Sequence, residues 1–73
     1  MPIYEIVGYD KDYDTHTVYY RTQDKSDAYH IAEVFKNNID NLFTVHHDYD
    51  GIQKEPVDWI EIWKDNIREA VLS

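Results

Sequence analysis

The sequence contains no cysteine, only two glycines and two prolines, and about half as many basic residues as acidic ones. Without cysteine it can form neither a disulfide nor a cysteine-ligated zinc site, and it has no thiol nucleophile. No apolar run approaches the ~20 residues that a membrane-spanning helix needs. Seven bases against fifteen acids give a net charge of −8, the wrong sign for a groove that holds nucleic-acid phosphates. We therefore expect no direct contact with nucleic acid or membrane.

Aromatic residues are plentiful: seven tyrosines, two tryptophans and two phenylalanines in 73 residues. A chain this short builds only a small core, and large rings that bury ~150–250 Å² each help to compensate. Independent domains rarely fall far below ~50 residues, so a single small α+β domain over 1–73 is predicted. The N-terminal residues 1–5 lack the basic and apolar regions of a signal peptide, and a cytoplasmic protein is expected.

The first half of the chain predicts a β-hairpin followed by a helix. Residues 3–9 and 15–22 are rich in β-branched and aromatic side chains, and the polar residues 10–14 between them suit a turn. A helix is predicted over 25–38, with Asp24 or Ser26 as its N-cap. Its apolar residues recur at steps of three and four and would form one face, namely Ala28, Ile31, Ala32, Phe35 and Ile39.

The second half predicts strands, but its end is ambiguous. Residues 41–48 indicate a third strand, and Asp50-Gly51 indicates a turn. Residues 58–64 alternate like a fourth strand, although a helical stripe through Val57, Ile60, Trp63, Ile67 and Val71 leaves one continuous helix open. Residues 66–72 favour a helix under either interpretation.

The predicted fold is therefore α+β: a small antiparallel sheet with one packed helix, in the order ββαββ plus a short C-terminal helix. The alternative order, if the last segment is helical throughout, is ββαβα. The residues predicted to form the core are Ile6, Val18, Ile31, Phe35, Val45 and Ile60.

Two clusters resemble metal-binding spacings. Alternate aspartates in 10–14 resemble the start of a calcium loop, but such a loop wants Gly at its sixth position and Glu at its twelfth, where Thr15 and Arg21 stand. Neighbouring His46 and His47 would point to opposite faces of a strand and could not easily share one ion. We expect a polar hairpin turn, solvated strand-end histidines, and neither a metal site nor a cofactor.

Residues for catalysis are scarce. The two serines, Ser26 and Ser73, lie outside any nucleophile-elbow context, and Gly8 and Gly51 are too isolated for a loop that cradles phosphate. No catalytic residue is assigned, and the chain is predicted not to be an enzyme.

The aromatic side chains are the best candidates for function. So small a core cannot bury all seven tyrosines, and exposed Tyr and Trp are enriched at the energetic centres of protein interfaces. Cross-strand packing is the alternative use of these rings. If residues 58–64 form a strand, the two tryptophans share one face. The predicted interaction surface comprises Tyr9, Tyr13, Tyr19, Tyr49, Trp59 and Trp63.

Three stretches carry a resemblance to a known group of proteins: residues 4–10, residues 27–35, and Pro-Val-Asp-Trp-Ile-Glu-Ile-Trp at 56–63. In these stretches the chain resembles the small uncharacterised acidic proteins of Gram-positive phages and prophages. The resemblance implies a phage setting, in which small acidic proteins bind and inhibit host factors, and it supplies no catalytic residues.

Three functions stay open at this point. The first is a non-enzymatic protein-binding module, a phage-encoded modulator of a host protein. The second is an acidic nucleic-acid mimic that occupies the basic groove of another protein. The third is a homo-oligomeric structural protein, a homodimer being the simplest form, because small domains often gain stability by association.

Overall fold

The structure, a computed structural model, describes all 73 residues and contains six strands, one α-helix and a 3₁₀ turn at Ile39–Asn41. The predicted α+β class, with antiparallel sheets and one main helix, is confirmed. In chain order the elements are β1 (Tyr4–Asp10), β2 (Thr15–Thr22), α1 (Lys25–Asn37), β3 (Phe43–Asp48), β4 (Gly51–Pro56), β5 (Trp59–Lys64) and β6 (Ile67–Leu72).

Four strands form the main sheet in the order β2-β1-β5-β6, with every neighbouring pair antiparallel. The central strands β1 and β5 pair through Ile6 opposite Ile62 and Gly8 opposite Ile60. Strands β3 and β4 pair only with each other and form a separate two-stranded sheet. The molecule is correspondingly long, with principal dimensions of 42 × 23 × 15 Å.

The predicted C-terminal helix at 66–72 is wrong, because this segment forms strand β6 and pairs with β5. Asp65 and Asn66 both adopt positive φ, 51° and 67°, which reverses the chain within two residues. The pairing then directs Ala70 and Leu72 toward the core. Backbone bonds to β5 thus override the weak helical pattern. Residues 51–56 also form a strand, although the sequence indicates only a turn at Asp50-Gly51.

Helix α1 agrees with its predicted bounds to within one residue and packs on one face of the main sheet. The Asp24 side chain accepts a hydrogen bond from the Asp27 backbone N–H at 2.9 Å and caps the helix. Ala28 and Ala32 are completely buried, because small side chains let the helix approach the sheet closely. The buried cluster comprises Tyr4, Ile6, Ala28, Ala32, Val57, Ile60 and Ile62. No helix is long and apolar enough to cross a membrane.

Four of the six predicted core residues pack in or against this cluster. Ile6 and Ile60 are fully buried, and Ile31 and Phe35 are partly buried against them. Val18 and Val45 are wrong, since their residues are 45 % and 54 % exposed. Val18 lies on the sheet face that α1 does not cover, and Val45 lies on the separate hairpin, so neither reaches the helix side of the sheet.

Both edge strands of the main sheet contain an irregularity. The pairing of β2 with β1 shifts so that Tyr19 has no counterpart, and the pairing of β6 with β5 shifts at Glu69. The Tyr19 ring stacks on Phe35 and lies directly over Gly8, where a Cβ atom would overlap the Tyr19 Cε2 atom. Gly8 is therefore required by the close approach of this ring.

Candidate protein-binding surface

The second face of the main sheet, opposite α1, collects most of the distinctive side chains. Cross-strand pairing aligns Tyr9 with His16 and Trp59, and it aligns Val7 with Glu61. Because side chains alternate along a strand, Trp59, Glu61 and Trp63 all point to this face. We call it the aromatic face, and it comprises Glu5, Val7, Tyr9, His16, Val18, Arg21, Trp59, Glu61, Trp63, Arg68 and Val71.

Glu61 lies at the centre of the aromatic face and is completely buried. The indole N–H of Trp63 donates to its Oε1 atom at 2.8 Å, and the indole N–H of Trp59 donates to its Oε2 atom at 2.9 Å. His16 Nε2 lies 3.3 Å from Oε1, and an Arg68 guanidinium nitrogen lies 3.4 Å from Oε2. One carboxylate therefore fixes the orientation of both tryptophans.

The pKa of Glu61 reflects two opposing effects. Burial of the carboxylate raises the pKa, whereas the hydrogen bonds from Trp59 and Trp63, together with His16 and Arg68, lower it by more. The net pKa lies below the ordinary value for glutamate, so this carboxylate is ionised at neutral pH. A charge-assisted hydrogen bond is stronger than a neutral one, and the two indoles are held accordingly.

The rings of the aromatic face also pack on one another. Tyr9 lies 4.6 Å from His16 and 4.8 Å from Trp59 between ring centroids, and His16 meets Trp63 edge-on at 5.6 Å. The Tyr9 hydroxyl donates to Asp14 at 2.6 Å, which raises the pKa of Tyr9. Because the polar atoms of Tyr9 and of both tryptophans are already bonded within the chain, the accessible part of these side chains consists of ring carbons.

A shallow depression of about 250 Å³ opens on the aromatic face. Val7, which is almost fully buried, and Val18 contribute its aliphatic lining, and Trp63 contributes an aromatic one. The remaining lining residues are Glu5, His16 and Asn66. The depression is large enough for one apolar side chain of a partner.

The six aromatic residues predicted to form one surface occupy four places. Tyr9, Trp59 and Trp63 meet on the aromatic face. Tyr19 lies on the helix side of the sheet, where it packs against Phe35. Tyr13 stacks on His46 at 3.9 Å, and Tyr49 is fully exposed at the tip of the β3–β4 hairpin; neither belongs to the aromatic face.

Sequence reasoning did not assign a site role to Glu61, His16 or Arg68. For Glu61 a signal was present, because it stands midway between two tryptophans in an alternating strand and must share their face. His16 and Arg68 come from other strands, and only the pairing register brings them to the same carboxylate.

The second predicted cluster joins the β3–β4 hairpin to the main sheet. Thr44 Oγ1 donates to the buried Asp10 carboxylate at 2.9 Å, and His46 Nε2 lies 3.1 Å from the same Oδ2 atom. His46 is thus not the solvated histidine that was expected, although it and His47 do point to opposite faces. Thr44 is itself buried, and this trio connects the hairpin to the main sheet.

The pKa of Asp10 is also lowered. Burial raises it, but the hydrogen bonds from Thr44 and His46 and from the backbone of the following turn outweigh burial. Residues 10–14 form the hairpin turn that was predicted. No group of three or more His, Asp or Glu side chains is placed to hold a metal ion.

Glu61 on the aromatic face and Asp10 in the trio are thus the two buried carboxylates of this fold. A comparison of the chain with protein-family models, with curated proteins and with solved structures finds no match.

Proposed function

We propose that this chain is a non-enzymatic protein-binding module and that it engages its partner through the aromatic face. The observation that carries the proposal is the locked tryptophan pair: Glu61 consumes both indole N–H groups and leaves apolar ring surface outward. Rigid aromatic side chains lose little entropy on binding and are enriched at interface hot spots.

The charge of this face supports a protein rather than a nucleic acid or a phosphate as the ligand. Its two glutamates, Glu5 and Glu61, are matched by Arg21 and Arg68, so the face is neutral within a protein of charge −8. Depletion of net charge around a core of aromatic residues is typical of protein interfaces. The partner we infer presents an apolar side chain to the depression beside Val7 and Trp63.

The resemblance to small acidic phage proteins leads us to propose a bacterial host protein as this partner and the cytoplasm as the place of contact. The chain would act by occupying a surface of the host protein, with no chemical step of its own.

The test compares two exposed valines. Val18 on the aromatic face and Val34 on the outer side of α1 have nearly equal exposure, 45 % and 44 %, so glutamate at either position leaves the core intact. Wild-type protein, Val18→Glu and Val34→Glu are each used for affinity capture from a Gram-positive bacterial lysate, with quantitative mass spectrometry of the bound proteins. We expect one protein to be captured by the wild type and by Val34→Glu but lost with Val18→Glu.

The purified partner then allows a direct measurement. Both tryptophans of the chain lie on the aromatic face, so their emission reports occupation of this surface without a label. We expect the Val18→Glu change to weaken binding at least tenfold and Val34→Glu to change it less than twofold. Equal binding by the two variants would show that the contact lies elsewhere.

A nucleic-acid mimic is the second candidate. It is supported by the placement of the acidic residues, which are concentrated in one region and not spread evenly over the surface. Residues 10–14 and 43–58 contact each other and together carry seven carboxylates and two lysines, which places −5 of the total −8 at one end of the molecule. Such a surface would enter a basic groove.

Salt distinguishes the two candidates. Binding through this acidic end should weaken steeply between 50 and 300 mM salt, on the order of tenfold or more, because exposed charges are screened. Binding through the neutral aromatic face should change little over the same range.

A further inference from the structure

The β3–β4 hairpin, residues 43–56, is set apart from the rest of the molecule. Its two strands pair only with each other, and neither packs extensively on α1 or on a strand of the main sheet. None of its apolar residues belongs to the buried cluster or packs against it. The apolar contacts that hold the helix and the main sheet together therefore do not include the hairpin.

The hairpin is fixed to the core at its base. Leu42 and Val57, the two residues that flank it, both pack in or against the buried cluster. The Val57 backbone N–H donates to the Leu42 carbonyl at 3.3 Å, and the next backbone N–H, that of Asp58, donates to the Tyr9 carbonyl at 2.8 Å. Any movement of the hairpin relative to the main sheet therefore pivots about Leu42 and Val57.

Beyond this base, the attachment of the hairpin is concentrated at the Asp10 carboxylate. Thr44 Oγ1 and His46 Nε2 both reach Asp10 Oδ2, and the Tyr13 ring stacks on His46 at 3.9 Å. Asp10 is completely buried, so loss of these two donors leaves a buried carboxylate with fewer hydrogen bonds and no water to replace them. One polar group thus holds the hairpin, whereas many apolar contacts hold the main sheet.

The charges at this contact oppose docking of the hairpin. The hairpin side that carries Thr44 also carries Asp48 and Glu55, and the turn that it faces carries Asp10 and Asp12. Partial desolvation raises the pKa of Tyr13 and each of these four carboxylates raises it further, so all four lie near its hydroxyl group. Like charges on two facing surfaces repel each other. The hydrogen bonds to Asp10 have to outweigh this repulsion.

The hairpin has little stability of its own. A two-stranded hairpin without further packing is at best marginally stable in water. When the bonds to Asp10 break, no other contact with the main sheet supports the pairing of β3 with β4. Separation of the hairpin from the main sheet and loss of its pairing should therefore occur as one step.

We propose that residues 43–56 form an arm that opens as a unit while the main sheet stays folded, and that the Asp10 carboxylate is the latch that keeps the arm closed. Segments with few buried apolar contacts open at a lower free energy than the whole protein. Opening separates the arm from the turn at 10–14, and these two segments together form the acidic end of the molecule. The arm therefore decides whether the acidic end exists as one surface.

Amide hydrogen exchange of the pure wild-type protein, resolved by NMR, tests whether the arm is a separate unit. We expect the paired amides of β3 and β4 to share one opening free energy that is lower than that of the amides in β1 and β5. Their exchange should also depend less steeply on urea, because opening the arm exposes less surface than global unfolding. A single opening free energy and a single urea dependence for all four strands would overturn the proposal.

Two substitutions test whether Asp10 is the latch. His46→Phe keeps a ring against Tyr13 but removes a donor to Asp10, and Thr44→Val removes the other donor while keeping the branched shape. Each should speed exchange of the hairpin amides roughly tenfold or more, as expected for loss of a hydrogen bond to a charged group. The matched control is His47→Phe, on the opposite side of the same strand, which should change exchange less than about threefold.

The double variant Thr44→Val/His46→Phe gives the strictest comparison. Its hairpin amides should exchange faster than in either single variant, while the amides of β1 and β5 stay protected. Trp59 and Trp63 both lie on the main sheet, so unchanged tryptophan emission confirms that this sheet is folded. Loss of protection in all strands together, or hairpin amides that exchange no faster than in His47→Phe, would overturn the proposal.

Trypsin gives a second readout, because Lys54 is the only lysine or arginine in residues 43–56. Cleavage after Lys54 requires the arm to open, and its rate follows the population of the open form when opening is faster than cleavage. The double variant should be cleaved there fastest, and the wild type and His47→Phe slowly and alike. Equal cleavage of the double variant and the wild type also overturns the proposal. These measurements use the pure chain, so their outcome is independent of the partner complex proposed above.

Discussion

The Glu61→Gln substitution isolates the charge that organises the aromatic face, because glutamine keeps the shape of glutamate. One oxygen can still accept a hydrogen bond from one indole, but the other terminal atom becomes an N–H₂ group that faces the second indole N–H. A hydrogen bond to a charged group contributes about 1.5–3 kcal/mol, and an unsatisfied buried donor adds its own cost. We expect Glu61→Gln to lower the free energy of unfolding by about 2–4 kcal/mol.

This loss is a large share of the protein's total free energy of unfolding. A domain of 73 residues is typically stable by roughly 4–11 kcal/mol, so the variant should remain folded but unfold at a much lower urea concentration. The matched control is Glu5→Gln on the same face. Its partner, Arg21, is well exposed, and an ion pair of this kind contributes less than about 1 kcal/mol.

Urea unfolding at pH 7 provides the assay, followed by tryptophan fluorescence and by far-ultraviolet circular dichroism. A difference of less than about 0.5 kcal/mol between Glu61→Gln and the wild type would refute the idea that the carboxylate holds the two indoles. An equally large loss of unfolding free energy in Glu5→Gln would refute the idea that the effect is specific to Glu61.

The pH dependence of the same proteins gives an independent check. The pKa of Glu61 is lowered in the folded state, so its contribution to stability is present above the unfolded pKa of about 4.3 and is lost as the pH falls through the folded pKa. The wild type should therefore lose stability below about pH 4, and Glu61→Gln should lose less over this range. Parallel curves for the two proteins would contradict the assigned direction.

Three further changes test the scaffold. Asp10→Asn should flatten the loss of stability below about pH 4, because the Asp10 carboxylate has a lowered pKa and stabilises the fold only while ionised; acid titration followed by circular dichroism measures this. Gly51→Ala should destabilise the β3–β4 hairpin by about 1 kcal/mol, because Gly51 has a φ of 106°, which alanine adopts only with strain. The space beside Gly51 is open, so this cost comes from the backbone alone. Protection of the hairpin amides from hydrogen exchange measures it. Gly8→Ala should cost about 1–3 kcal/mol in urea unfolding, because the new methyl group must displace the Tyr19 ring.

The first half of the fold was predictable because its signals are local. The β1–β2 hairpin and helix α1 follow from propensity, turn chemistry and an N-cap, all of which lie within a few residues of the elements they specify. The structure of the C-terminal segment was not predictable in this way, since Ile67 and Val71 suit a helix as well as a strand. Pairing with β5 decided between them, and that contact depends on the turn at Asp65 and Asn66.

The candidate site was predictable in part for the same reason. Placing Trp59 and Trp63 on one face required only the alternation of a strand, and the structure agrees. Assigning His16 and Arg68 to the same carboxylate required the order and register of four strands, which no local pattern contains. The even spread of acids along the sequence likewise hid their concentration at one end in space.

The shifts in register at Tyr19 and Glu69 affect how the edges of the main sheet can associate with other chains. They interrupt the regular spacing of the backbone on both edge strands of the main sheet, which opposes the addition of a further strand in register. We therefore expect growth of fibres from the edges of this sheet to be disfavoured. The hairpin of β3 and β4 has no such irregularity, and any amyloid-like assembly of this protein should begin at its edges.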